Sequence, residues 1–452
     1  MARAFAGRNR PTGPTRGSVL LGCSAAALAL GVASLAAASV PLIVLSRTVA
    51  TGVRPRWIWL GDLNGDGKPD LVTANQDGRS ISVLANSGDG LAHKRDYRTG
   101  GTPLSAAIGD LDGDGGPDVA VANLGRPDKV SILFNAGDGT FRAPVDYRTG
   151  DYPSSVAIGD LNGDGKADLA VANGGSDTVS VLLNRGDGSF QAKRDYTADV
   201  EIGALAIADV NDDGKPDVLT ANLGSFSVLV NKGDGTFLEQ ARLHTKNGSV
   251  SLAVGDLNGD GSPDLAIAKR DRATVSTFTN GGDGSAWSRR DYKASAAAVA
   301  IGDLNGDSKP ELVVVAVDGS GSVSVLTNTG NGRFRDRRDY GRVNYPVAVA
   351  IGDVNGDGRL DVATANFGSN TVSVFANRTG DRVRICTVPN VKGSRLAAAK
   401  RTIERARCRA GRISRQPYSG PEGLVKWQAP VPGTRLRAGG RVDLVVSRRA
   451  PP

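Results

Sequence analysis

One short acidic string, repeated seven times, limits what this chain can fold into more than any other feature. The copies are GDLNGDGKPD from Gly61, GDLDGDGGPD from Gly109, GDLNGDGKAD from Gly159, ADVNDDGKPD from Ala208, GDLNGDGSPD from Gly255, GDLNGDSKPE from Gly302 and GDVNGDGRLD from Gly352. Their first acids, Asp62, Asp110, Asp160, Asp209, Asp256, Asp303 and Asp353, follow at intervals of 48, 50, 49, 47, 47 and 50 residues. A fixed period of this length marks a repeat architecture in which each unit is one small supersecondary element. Within a period, a short apolar run enters the loop (VAIG before Asp160) and a second leaves it (DLAVAN, Asp168 to Asn173). A third run, TVSVLLN from Thr178, ends in the turn RGDGSF, and a fourth, polar-aromatic stretch reaches Asp195-Tyr196. Short runs rich in Val, Ile and Leu, punctuated by Gly and Asn-Gly, read as strands. Four strands per unit make one blade of a β-propeller, and seven units suit radial closure. A solenoid would need shorter rungs and capping ends. The expected fold is therefore all-β, a seven-bladed β-propeller over residues 39–378.

A closed ring must hide its edges. The seventh copy stops after TVSVFAN (Thr371 to Asn377) with no clear fourth strand. At the other end, Leu42-Ile43-Val44-Leu45 and Val49 align, ten residues behind the first loop, with the fourth-strand stretch of later copies. Residues 41–50 are therefore expected to complete blade seven.

The same alignment bears on export. Arg3, Arg8, Arg10 and Arg16 precede 29 uncharged residues, Ser18 to Ser46, the pattern of a secretory signal or an uncleaved anchor. If the apolar tail of that run belongs to the propeller, residues 1–38 form a signal peptide cleaved after Ala36-Ala37-Ala38. Cys23 follows Leu20-Leu21-Gly22 like a lipidation site, but too few apolar residues precede it. The expected location is extracellular or at the cell surface.

In D-x-[DN]-x-D-G-x-P-D, side-chain oxygens fall at positions 1, 3, 5 and 9, and the carbonyl at position 7 adds another. Ca²⁺ takes six to eight hard oxygen ligands in a flexible cage. Three or four carboxylates within nine residues repel one another, so a divalent cation is their natural neutraliser. The metal-free reading is a set of Asx-rich turns.

These residues resemble the FG-GAP/VCBS repeats and are similar to the propeller of integrin alpha chains, over roughly residues 41–378. The resemblance implies up to seven structural Ca²⁺ ions. Blade one would use Asp62, Asn64, Asp66 and Asp70 with the Lys68 carbonyl. Blade two would use Asp110, Asp112, Asp114 and Asp118, and blade three Asp160, Asn162, Asp164 and Asp168. Blade four would use Asp209, Asn211, Asp213 and Asp217, blade five Asp256, Asn258, Asp260 and Asp264, and blade seven Asp353, Asn355, Asp357 and Asp361. Blade six departs from the pattern: Ser308 stands at position 6 and Glu311 at position 9, so Asp303, Asn305, Asp307 and Glu311 form the weakest site. Affinities in the ~10⁻⁴–10⁻³ M range of extracellular modules are expected.

Charge and composition narrow the function. The net charge of +8 hides an acidic body at −9 between a basic start and a tail, residues 381–449, at +13. A basic tail on an acidic body argues against nucleic-acid binding despite a pI of 9.4. Two His in 452 residues, His93 and His244, both without a motif, leave little room for His-based catalysis. Arg185-Gly186-Asp187 occupies the repeat turn whose other copies read SGDG, AGDG, KGDG, GGDG and TGNG, so it carries no adhesion signal. The recurring Asp-Tyr pairs (Asp96-Tyr97, Asp146-Tyr147, Asp195-Tyr196, Asp291-Tyr292, Asp339-Tyr340) read as outer-strand packing, with a glycan-binding ring of Tyr and Arg as the alternative.

After a linker, residues 379–385, the pattern changes. VPNVKG, an Ala-rich stretch with Leu396, Ala399, Ile403 and Ala406 at helical spacing, QAPVPGTRLRAGG and the closing VDLVVS follow. Cys386 and Cys408 bracket the helix and are expected to pair in an oxidising compartment, stabilising by roughly 3 kcal/mol. Residues 386–449 resemble a PASTA domain, a small α+β module associated with bacterial cell-wall peptidoglycan. The expected protein is an exported, calcium-binding, non-enzymatic bacterial interaction or adhesion protein. It would be held on peptidoglycan or an anionic wall polymer by the PASTA domain, with an unknown glycan or protein as the propeller's partner. The alternative is a carbohydrate-active enzyme or lectin built on the propeller.

Overall fold

The computed structural model describes residues 41–448 except 88–90, 246–247, 270–273, 380–384, 407, 418–420, 433 and 438–440. The expected signal segment, its cleavage site, Cys23 and most of the linker lie outside the described residues.

Seven four-stranded antiparallel sheets follow one another along the chain. Blade three is representative: Pro153–Gly159, Asp168–Asn173, Thr178–Leu182 and Arg194–Thr197, hydrogen-bonded in that order. The second strand of a blade is buried along its whole length, as in Asp168–Asn173 and Asp361–Asn366. That is why these runs read as continuously apolar rather than alternating. The core lies between neighbouring sheets. Ala170, Ala172, Val179 and Val181 of blade three pack against Leu205, Val218, Leu229 and Phe237 of blade four.

The ring closes as the repeat register requires. Ile43–Ala50 pairs antiparallel with Thr371–Asn377, from Ile43 opposite Asn377 to Ala50 opposite Thr371, giving blade seven its fourth strand from the other end of the chain. Blade seven then packs on blade one, with Ala363, Ala365 and Val372 against Ile58, Leu71 and Leu84.

Two devices tie neighbouring blades together, the first at five of the seven junctions and the second at all of them. In four Asp-Tyr pairs the tyrosine stacks edge-to-face on a phenylalanine of the following blade, as in Tyr147 on Phe190 and Tyr196 on Phe237, both at 5.2 Å between centroids. Its hydroxyl donates to a turn carbonyl there, Gly188, Gly235 or Gly332. At the last junction Tyr340 donates instead to the carbonyl of Pro41, at the start of the closing segment. The aspartate of the pair accepts from a third-strand serine, such as Ser131 to Asp146 at 2.6 Å. These pairs are packing elements, and the hydroxyls of Tyr147, Tyr196, Tyr292 and Tyr340 are already engaged.

The second device is an asparagine at the end of every third strand or two residues past it. Its side-chain amide reaches back to the carbonyl of position 2 in the previous blade's acidic loop: Asn135 to Leu63, Asn184 to Leu111, Asn231 to Leu161, Asn280 to Val210, Asn328 to Leu257 and Asn377 to Leu304. Asn86 to Val354 completes the circle.

In the C-terminal unit, the helix Leu396–Arg405 buries Ala399 and Ile403 against Val425, Val442, Leu444 and Val446. Arg441–Arg448 lies between Arg409–Pro417, parallel to it, and Val425–Ala429, antiparallel. The buried Gln428 holds the VPNVKG turn, accepting from the Val391 amide and donating to the Pro389 carbonyl, both at 2.8 Å. A small sheet with one helix is the expected α+β module.

Replacing Asn184 by Ala leaves the Leu111 and Ala167 carbonyls buried without their donor. The expected cost is about 2–4 kcal/mol for two such groups, read by urea denaturation. A loss under about 0.5 kcal/mol would mean that these ties do not hold the ring.

Candidate metal centre

Each acidic loop joins the first strand of a blade to the second and curls around its own first aspartate. In blade three, Asp160 accepts from the amides of Gly163 (2.7 Å), Asp164 (3.2 Å) and Gly165 (2.8 Å). Asn162 accepts from the Asp164 amide at 2.9 Å, and Asp164 from the Lys166 amide at 3.0 Å. The curl needs left-handed backbone at position 6, where Gly165 sits at φ +81°. In blade six Ser308 adopts the same region, φ +64°, at the cost of a side chain there.

The last acid of the loop opens the second strand and is fully buried. Asp168 accepts from the Leu161 amide at 3.0 Å and from the Asn184 amide at 2.7 Å. The bond to the position-2 amide recurs in all seven loops, with Glu311 in blade six making it to Leu304 at 2.9 Å. Burial pushes Asp118, Asp168, Asp217, Asp264 and Asp361 up to about 6, with the other loop carboxylates adding to the shift. Glu311 is pushed up to about 7 for the same reason, and Asp70 is raised by burial.

The loops differ in how far their oxygens converge. In blade two, carboxylate oxygens of Asp110, Asp112 and Asp118 lie within 4.8 Å of one another, the one such acidic cluster among the described residues. Blade two is also the loop with a carboxylate at position 3, Asp112, and glycine at position 7, Gly116. In blades one, three and four the lysine at position 7 turns toward the aspartate at position 5: Lys68 to Asp66 at 3.8 Å, Lys166 to Asp164 at 3.3 Å and Lys215 to Asp213 at 3.5 Å. In blade five the Asn258 amide donates to Asp260 at 2.8 Å, and in blade six the Asn305 amide donates to Glu311 at 2.9 Å. Asn355 makes a longer bond, 3.4 Å, to Asp361 in blade seven.

The donor set fits a hard divalent cation. It is all oxygen, its innermost carboxylate is buried against its charge, and each loop oxygen that accepts an amide keeps further lone-pair capacity. Asp110, Asp112, Asp114 and Asp118 would hold such an ion in blade two, and the corresponding residues in the other blades. The ion would supply counter-charge and cross-link the two ends of each loop. The asparagine ending the third strand belongs to this centre and was not anticipated from the acidic motif. Its signal was present in the sequence, as the final residue of SVLAN, ILFN, VLLN, VLVN, TFTN, VLTN and VFAN.

The raised acids set a sign. A carboxylate whose folded value lies near 6 against an ordinary 3.8 keeps its proton longer when folded, so stability is lost as pH climbs from about 4 to about 7. In EDTA the melting temperature should fall across that window, and saturating Ca²⁺ should abolish the fall. At 100 times its dissociation constant, a bound ion adds about 2.7 kcal/mol per site. Melting curves that coincide in EDTA and Ca²⁺ at pH 7.5 would exclude metal-stabilised loops.

Comparison with known proteins agrees with the repeat and the fold. The FG-GAP-like repeat profile matches residues 62–121, 110–171, 160–220, 209–267, 256–314 and 303–364, and the PASTA domain profile matches residues 387–448. No curated protein is significantly similar to the chain. Among solved structures, the fold is similar to BBS1N in its complex with ARL6DN, at 14% identity and a TM-score of 0.54, covering 74% of this chain and 96% of that one. It is also similar to the Cps50 (Swd1) β-propeller domain of Myceliophteria thermophila, at 13% identity and a TM-score of 0.51, covering 74% and 99%. Hydrazine synthase of Kuenenia stuttgartiensis is similar at 18% identity and a TM-score of 0.50, covering 72% and 95%. At such identities the likeness speaks for the fold alone. With six overlapping repeat matches spanning most of the propeller, the chain belongs to the FG-GAP-like repeat family and carries a C-terminal PASTA domain.

Proposed function

We propose that this is an exported bacterial protein whose calcium-stabilised propeller is displayed at the cell wall by its PASTA domain and acts as a non-enzymatic interaction platform. An FG-GAP propeller joined to a PASTA domain fits a cell-surface or wall-interacting protein. The observation that carries the wall reading is the surplus of cations in the C-terminal unit. Among the described residues none of its Lys or Arg side chains forms an ion pair, whereas those of the propeller pair repeatedly. Lys400, Arg401 and Arg405 are exposed or partly exposed on the one helix, and Arg409 and Arg441 are exposed on the adjoining strands. Unpaired cations of one sign favour an anionic polymer through many weak, screened contacts.

Calcium is part of this reading. Seven ions would add +14 to the acidic body and remove the self-repulsion of the loops. Blade two would bind first, because it offers four carboxylates and no internal lysine. Replacing Asp112 by Asn should therefore weaken the tightest calcium site by about tenfold in calorimetric titration. An unchanged tightest site would place the strongest binding in another blade. Pairing of Cys408 with Cys386 is also proposed, because Cys408 is buried beside the PASTA core and an exported chain meets an oxidising compartment.

Retention on purified bacterial wall fractions tests the function. Full-length mature protein should sediment with walls at low salt and be released between about 0.1 M and 1 M NaCl, as the Debye length shrinks from about 10 Å to 3 Å. Charge reversal of Arg401 and Arg405 to Glu should weaken retention. Retention indifferent to both would count against an electrostatic wall anchor, and release of product from any bound sugar would favour the enzyme reading.

A further inference from the structure

Consecutive strands of each blade are antiparallel, so the acidic loops lie at one end of the sheets, and the links between blades lie at the other, together with the turns between second and third strands. At that second end the central channel opens. Its wall is made by the first strands of all seven blades, and small side chains such as Ser154, Ala204, Ser249 and Ala298 leave a cavity of about 1000 Å³.

The mouth is where the repeats stop agreeing. Eight residues before the first loop aspartate, the seven blades carry Arg54, Thr102, Tyr152, Glu201, Gly248, Ser295 and Tyr345. Four of these non-glycine residues hold left-handed backbone: Arg54 at φ +55°, Tyr152 at +56°, Glu201 at +50° and Tyr345 at +54°. Blade five has Gly248 there at φ +71°, so the fold accepts glycine at this position. A bulky side chain in this region is strained, and such strain persists only where the surroundings fix it. Here they do. Asn370 accepts from the Arg54 amide at 2.8 Å, Asp128 from the Tyr152 amide at 2.7 Å and Asp177 from the Glu201 amide at 2.9 Å.

Two of the side chains presented in this way keep their polar ends unused. Tyr152 and Tyr345 are 47% and 40% exposed, and neither hydroxyl has a hydrogen bond among the described residues, unlike those of Tyr147, Tyr196, Tyr292 and Tyr340 in the outer strands. Tyr345 leans on Phe367 at 5.9 Å between centroids, and Phe367 is capped by the Arg54 guanidinium. The two tyrosines, on blades three and seven, stand three blades apart, the widest separation a seven-bladed ring permits. Arg56 on blade one and Glu201 on blade four line the same cavity at the same separation.

We propose that this mouth binds a neutral oligosaccharide. The C–H faces of sugar rings would pack on Tyr152 and Tyr345, and hydroxyl groups would bond to Arg56, Glu201 and the wall serines. Among the residues lining the cavity Arg56 and Glu201 are one cation and one anion, and Arg54 beside it is paired with Asp77, so the wall brings no net charge, which suits a polyol better than an ion. Amphipathic tyrosine rings suit a ligand that alternates apolar faces with hydroxyls. This inference rests on the reading of the propeller as an interaction platform and names its ligand class and site.

The test uses the full mature chain in Ca²⁺ with chitotetraose, cellotetraose, maltotetraose and mannotetraose, and with uronic-acid oligomers and an unrelated peptide set as comparison probes. At least one neutral tetrasaccharide is expected to bind by calorimetry. Tyr152→Gly and Tyr345→Gly should each weaken it by about tenfold or more while leaving the melting temperature unchanged or higher, because glycine relieves the left-handed strain. Glu201→Gln should also weaken binding without loss of stability. No binding of any neutral tetrasaccharide, binding of acidic sugars or peptides alone, or binding untouched by the three variants would overturn the proposal. A lower melting temperature in both glycine variants would overturn it too, since the tyrosines would then be structural. Wall retention measured on the same preparations reports separately on the anchor: lost glycan binding with intact retention refutes only the site at the mouth.

Discussion

The molecule depends on a junction between a buried acid and a backward-reaching amide. The acid at loop position 9 binds the position-2 amide of its own loop, and in six blades it also binds the amide of the asparagine that ends the third strand. That asparagine's side chain then takes the position-2 carbonyl of the loop before it. Each acidic loop is thus bound from within by its own blade and from outside by the next. A carboxylate in this place is unfavourably buried, and the amides it accepts only partly offset that burial. A cation on the outer oxygens of the same loop would stabilise the fold at the point where burial opposes it.

The ring is uniform where blades must meet and variable where nothing inside the fold depends on the residue. Asn ties recur at every junction and Tyr-Phe stacks at four of them, because neighbouring blades present similar faces to one another. Where a blade deviates, its surroundings compensate. Glu311 keeps the amide bond of the shorter aspartate and gains the Asn305 amide. Lys269, fully buried where most blades place an asparagine, donates to the Thr245 carbonyl. At the divergent rim around the channel the backbone amides of Arg54, Tyr152 and Glu201 are held by Asn370, Asp128 and Asp177, while the hydroxyls of Tyr152 and Tyr345 have no hydrogen-bond partner among the described residues.

Much of the architecture was legible because it is written in period and in oxygen-bearing positions. The number of blades follows from the seven acidic strings, and the closing strand from the register of residues 41–50 against later repeats. The helix of the C-terminal module follows from Leu396, Ala399 and Ile403. The loop chemistry was legible only as a list of donors. That Asp110, Asp112 and Asp118 converge while Asp66, Asp164 and Asp213 turn toward lysines depends on side-chain directions, which spacing does not encode.

The chain's order of residues by itself determined the repeat unit, its count, the acids available to each loop and the basic character of the tail, because these are local and periodic properties. Only the tertiary structure decided which carbonyl each Asn side chain ties, which tyrosines are consumed between blades, and that residues from blades one, three, four and seven share one cavity. Those outcomes arise when a linear repeat is bent into a circle, bringing together groups far apart in the chain, such as Arg56 and Phe367, that no local pattern relates.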